Sequence, residues 1–182
     1  MNSLSVQAAS PDFAFDMDLI ATGPLVFHGE NGFSQKSAEG QASYYYSQPF
    51  YKISGTLNLP EGDIPVTGSA WLDREWSSQP LSDDQKGWDW FSLSFENGEK
   101  IMGFQLRQSN GSYYTSATWI EANGETQSYP DGAFMAEPLE ETRVAGRDVP
   151  IRWQVRLPDR DLDAEVLALM PKAWMDVSIS YW

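Results

Sequence analysis

Between residues 68 and 79 the chain reads GSAWLDREWSSQ, which sets Asp73, Arg74 and Glu75 between Trp71 and Trp76. Carboxylates give and take protons, and indole faces stabilise a passing cation through the ring quadrupole. A carboxylate held in an aromatic pocket loses water. Desolvation then raises its pKa, keeping it protonated near neutrality and ready to act as a general acid. The opposing reading is a plain strand end, with Asp73 paired to Arg74 or Arg107 and the tryptophans packed as core. Such ion pairs are common and contribute little. In an extended strand Trp71, Asp73 and Glu75 point one way and Leu72, Arg74 and Trp76 the other, so each face carries both charge and ring.

The elements that must position these residues read as β-strands. DFAFDMDL places Phe13, Phe15, Met17 and Leu19 on one face, and YKISGTLNL does the same with Tyr51, Ile53, Leu57 and Leu59. WDWFSLSF and EKIMGFQLR flank Asn97-Gly98, which predicts a hairpin with positive φ angles at the turn. A second Asn-Gly, at 123–124, joins SYYTSATWIEA to ETQSYPDG, and IRWQVRL and AWMDVSISYW add later strands. LDAEVLALM, at 162–170, fits either a short helix or a strand. Regular short strands predict an antiparallel sandwich or barrel, and closing a barrel removes exposed sheet edges.

Composition narrows the function. Lys plus Arg total 12 against 26 Asp plus Glu, a net charge of −14, so nucleic acid and anionic membrane surfaces are disfavoured partners. The same acidity keeps a chain with 14% aromatic residues soluble. With no cysteine and one histidine, thiol chemistry is excluded, and only a carboxylate cage could hold a metal. Asp83-Asp84 lacks calcium-loop spacing, so no metal is expected. His28, in VFHGENG, has no triad partner nearby and reads as structural. The glycines around it form no phosphate-cradling pattern. The last strand stops on Trp182, an unprotected indole, so the chain reads as a piece of something longer.

VTGSAWLDREWSSQ, the GWDWFSL strand and the NGEKIMGFQLR hairpin, with YYYSQPFYKISGTL before them, resemble in order the core signature of the carotenoid 1,2-hydratase and AttH-type lipocalin-like family. The resemblance covers about residues 40–110, weakens beyond, and returns at MDVSISYW. It implies an all-β, lipocalin-like antiparallel barrel within a two-barrel protein. Residues 1–40 would then be the end of a preceding half or linker strands. Residues 41–182 would be a barrel lacking its closing segment, whose partner is the missing half. A periplasmic or secreted location is also implied.

Chemically, the resemblance implies addition of water to, or rearrangement of, an isoprenoid or polyene double bond, without a cofactor. Asp73 matches the motif's aspartate and becomes the candidate proton donor; Trp76 matches its aromatic partner. Tyr45 and Trp71 would line the same cavity as donor or cation stabiliser. Arg74 and Glu75 would orient by a salt bridge or hydrogen bond. GWDW adds Trp88 and Trp90, while Asp89 faces away from both indoles and reads as structural. Of the three consecutive tyrosines, either Tyr45 or the pair Tyr44 and Tyr46 can share a face with Asp73. Three classes remain open: a lyase or isomerase acting on a hydrophobic unsaturated ligand, a carrier of such a ligand, and a structural module.

Overall fold

The computed structural model describes residues 2–78, 81–175, 177 and 181–182. Its regular structure is antiparallel β throughout, apart from one 3₁₀ turn at Pro158–Arg160, so the all-β expectation holds. The first sheet contains β1 (Ser3–Ala9), β2 (Ala14–Ala21), β3 (Val26–Phe27), β4 (Phe33–Gln35), β5 (Ala42–Leu59) and β6 (Gly62–Trp76). The second contains β7 (Gln85–Ser94), β8 (Lys100–Gln108), β9 (Tyr113–Ile120) and β10 (Thr126–Tyr129). The third contains β11 (Met135–Val144), β12 (Arg147–Leu157) and β13 (Leu162–Leu167). The segment open to either helix or strand is therefore a strand, paired to β12 with Val166 opposite Trp153.

β5 is the spine of the first sheet. Its second half pairs with β2, matching Leu19 to Ile53 and Phe15 to Leu57, as the period-two pattern predicts. Its first half carries β3 and β4 on one edge, and β6 runs along its whole length on the other. The strands β1 to β4, within residues 3–35, thus belong to the same sheet as β5 and β6. Between Gln48 and Tyr51 the pairing with β6 skips, at Pro49, which has no N–H to give to a ladder.

Both Asn-Gly hairpins are present. In each the glycine alone takes positive φ, +92° at Gly98 and +90° at Gly124, so the reversal is a turn closed by a left-handed glycine.

The second sheet is covered on both faces. Met102, Phe104, Leu106 and Tyr114 pack with Tyr45 of β5, and Trp71 and Trp88 lie against them. Ile101, Ala117 and Trp119 pack instead with Phe134, Trp153, Val155 and Leu157 of the third sheet and its approach. Gly103 belongs to this second face, where a Cβ would sit 2.6 Å from the Phe134 ring. Double coverage explains why every residue from Ile101 to Leu106 is buried.

The sheets do not close into the expected barrel. Among the described residues no ladder joins β6 to β7 or β10 to β11. Pro130, without an N–H, and Gly132 at φ +83° turn the chain out of the second sheet. Residues 176 and 178–180 of the predicted final strand lie outside the described residues; Met175 and Tyr181 form an isolated antiparallel bridge.

Candidate functional site

The register of β6 on β5 sets the site. Tyr45 lies opposite Glu75 and Ser47 opposite Asp73, without a break from Tyr44 to Gln48. Strand alternation therefore puts Ser43, Tyr45, Ser47, Trp71, Asp73 and Glu75 on one face, which turns toward the second sheet. The choice among the three tyrosines falls on Tyr45.

Asp73 is half-buried there. Its Oδ1 accepts hydrogen bonds from the Ser47 hydroxyl and, at 2.8 Å, from Trp71 Nε1–H. The Tyr45 phenol, on the same face, accepts from Trp90 Nε1–H at 3.0 Å, which ties β7 to β5. Burial foremost, then the negative charge of Asp73, hold the Tyr45 phenol far above its ordinary pKa, so it remains a neutral donor. Glu75 accepts from Ser43 Oγ at 2.6 Å and pairs with Lys36 Nζ at 3.2 Å.

His28 completes the network. It follows β3, is fully buried, and places Nε2 2.7 Å from Ser47 Oγ, with its ring 4.3 Å from the Tyr45 ring centroid. Burial pushes its pKa down to about 3, so it is neutral across the physiological range. The turn holding it depends on Gly29, at φ +64°, where a Cβ would lie 2.2 Å from the Phe33 carbonyl oxygen. Gly29→Ala should lower stability by about 1–3 kcal/mol, read as a drop in melting temperature. An unchanged melting temperature would show that this turn does not anchor His28.

Other expected members are placed elsewhere. Trp76 and Arg74 lie on the opposite, outer face, because no bulge interrupts β6 between Trp71 and Trp76. Trp76 is 54% exposed and stacks on Tyr44, which is 57% exposed. Phe33, Ala42, Tyr44, Trp76 and Ser77 line an open concavity of about 520 Å³ on that side. The resemblance to a motif aspartate and its aromatic partner thus does not bring Trp76 to Asp73; the indole at Asp73 is Trp71. Trp88 joins the aromatic packing on the inner face without a hydrogen bond to the carboxylate, and its ring meets Tyr181 edge-on at 5.9 Å.

The salt-bridge reading of Asp73 also fails. The Arg107 guanidinium pairs with Asp89, which accepts from Gln105 Nε2 at 3.0 Å as well. Among the described residues no arginine or lysine lies within salt-bridge distance of Asp73, and no three metal-ligating side chains converge.

Nothing in the sequence marks Ser43 or Lys36 for the site, and His28 reads there only as structural; Ser47 goes unmarked as well. Ser47 had a local signal, since it shares a face with Tyr45 two residues away. His28 reaches Ser47 only through the pairing of β3 with β5, which nothing in VFHGENG specifies.

The chain belongs to the AttH-like family, whose model matches residues 1–182. The crystal structure of an AttH candidate from Nitrosomonas europaea superposes with a TM-score of 0.88 at 35% identity, over 96% of this chain and 55% of that one. Kievitone hydratase from Nectria haematococca superposes with a TM-score of 0.79 at 20% identity, over 98% of this chain and 55% of that one, and shares the fold. The chain thus spans about half the length of both structures. Among curated proteins there is no match.

Proposed function

We propose that the protein binds a hydrophobic unsaturated ligand, of isoprenoid, polyene or lipid type, against the inner aromatic face, and that Asp73 protonates its double bond. The carboxyl proton forms a new C–H bond, the π electrons leave a cation on the neighbouring carbon, and the rings of Trp71, Tyr45 and Trp90 stabilise it. Water capture with loss of a proton gives hydration; loss of a proton from an adjacent carbon gives isomerisation. No cofactor enters either course. The observation that carries this reading is Asp73 itself. It is a half-buried carboxylate bonded to Ser47 and Trp71, on a face of rings that includes Tyr45, while the nearby arginine is taken by Asp89. Membership of a family with a hydratase-named fold neighbour is consistent with it.

A carrier without chemistry is the second reading, favoured by the outer concavity between Phe33, Tyr44 and Trp76. Fluorescence separates the two. Titration with lycopene or a retinoid should quench tryptophan emission saturably. Trp71→Phe should weaken binding about fivefold, the loss of roughly 1 kcal/mol of contact, and Trp76→Phe should leave the Kd unchanged. The reverse pattern would move the ligand to the outer face and remove Asp73 from the account. No saturable quenching with any apolar ligand would leave a packing module.

A further inference from the structure

His28 is the single histidine of the chain, fully buried, with no role in the chemistry above. Its Nε2 meets Ser47 Oγ at 2.7 Å, and its Nδ1 is buried with no hydrogen-bond partner. Ser47 has one hydroxyl proton, and Asp73 Oδ1 takes it. The Ser47 oxygen is then left only as an acceptor, so the imidazole must hold its proton on Nε2 and donate it. The bare Nδ1 lone pair fits this tautomer, because an orphaned buried acceptor is better tolerated than an orphaned N–H. Oδ1 of Asp73 thus receives the end of a directed chain, His28 to Ser47 to Asp73, and a second donor from Trp71. Two donors at Oδ1 leave Oδ2 as the oxygen able to carry a transferable proton.

We infer that His28, acting through Ser47, is a positioning residue that saturates Oδ1 of Asp73 and so presents Oδ2 to the ligand. The catalytic part of this role rests on the proposed function; the fixed tautomer and the directed chain do not. His28 takes no proton itself in the cycle. A neutral donor that stays neutral holds the carboxyl group at one angle before and after it gives up its proton.

One histidine makes the test unambiguous, since ¹⁵N-histidine labelling of the whole protein yields a single imidazole. The nitrogen coupled to both ring protons, Nε2, should carry the proton in roughly tenfold or greater preference over Nδ1. Ser47→Ala should cut that preference at least about threefold, and Ser47→Thr, which keeps the hydroxyl, should restore it. A proton on Nδ1, or a preference indifferent to Ser47→Ala, overturns the chain. Turnover of lycopene in D₂O supplies the second arm. Ser47→Ala should lower kcat roughly tenfold with KM held, and Ser47→Thr should recover it. A lost tautomer preference with unchanged kcat overturns the positioning role. Absence of turnover in the unaltered protein overturns the catalytic reading instead, and is told apart because the tautomer arm then still holds.

Discussion

Asp73→Asn should lower the rate of alkene protonation by about 10²–10⁴-fold, the usual contribution of a positioned general acid, and leave ligand affinity within about twofold. Asparagine keeps the shape of the side chain, and its carbonyl oxygen can still accept from Ser47 and Trp71, as Oδ1 does. It has no acidic proton to give. The neighbouring donors offer no substitute, because burial, the foremost cause, still holds the Tyr45 phenol above its ordinary pKa once the Asp73 charge is gone. The melting temperature should fall by no more than a few degrees, since no guanidinium is stranded: Arg107 keeps Asp89. Were Asp73 instead half of a buried ion pair, the same change would cost about 3–5 kcal/mol, and neutralising an arginine would restore it. Rescue of that kind by Arg107→Gln or Arg74→Gln would overturn the assignment.

Acid should destabilise the protein through His28, and His28→Gln should remove that part. In the folded chain His28 protonates at about 3, against an ordinary 6.5 once unfolded. Below pH 6.5 the unfolded chain therefore takes up a proton that the folded chain refuses. The contribution is absent above pH 6.5 and grows as pH falls toward 3, at about 1.4 kcal/mol per pH unit. Carboxylates titrate over part of the same range, so the reading is the difference in slope between the unaltered protein and His28→Gln, from urea unfolding at a series of pH values. Glutamine can donate to Ser47 but does not titrate, and the level of its stability is immaterial to the slope. Identical slopes between pH 6.5 and 4 would show that His28 is protonated in the folded state, contrary to its burial.

The parts of the fold legible in the sequence are those with local causes. Phe13 to Leu19 and Tyr51 to Leu59 alternate, and β2 and β5 pair in the register that alternation requires. The Asn-Gly pairs at 97–98 and 123–124 mark turns because a glycine is needed at positive φ. Trp71, Asp73 and Glu75 share a face because they are two apart. What was not legible depends on register between distant segments. His28 and Ser47 are 19 residues apart, and Ser47 and Asp73 are 26 apart; neither contact leaves a mark in its own stretch. Trp76 was placed at the site by resemblance against its own alternation, and the alternation prevailed. Arg107 was a candidate partner for Asp73, but the β7–β8 hairpin brings it to Asp89 first. Closure into a barrel was inferred from the need to protect edges. The second sheet is instead covered on both faces by packing between two others, an arrangement that the unbroken run Ile101 to Leu106 reflects only in retrospect.

Deuterium records proton delivery from Asp73 to a carbon of the ligand directly. Incubating the protein with lycopene in D₂O and weighing the recovered polyene and its hydrated products should show one deuterium bound to carbon per turnover, whether water adds or the double bond moves. Asp73→Asn, folded and still binding the polyene by fluorescence, should show none above the rate without protein. Carbon-bound deuterium appearing equally with Asp73→Asn, or never appearing with the unaltered protein while the polyene is bound, would contradict the account.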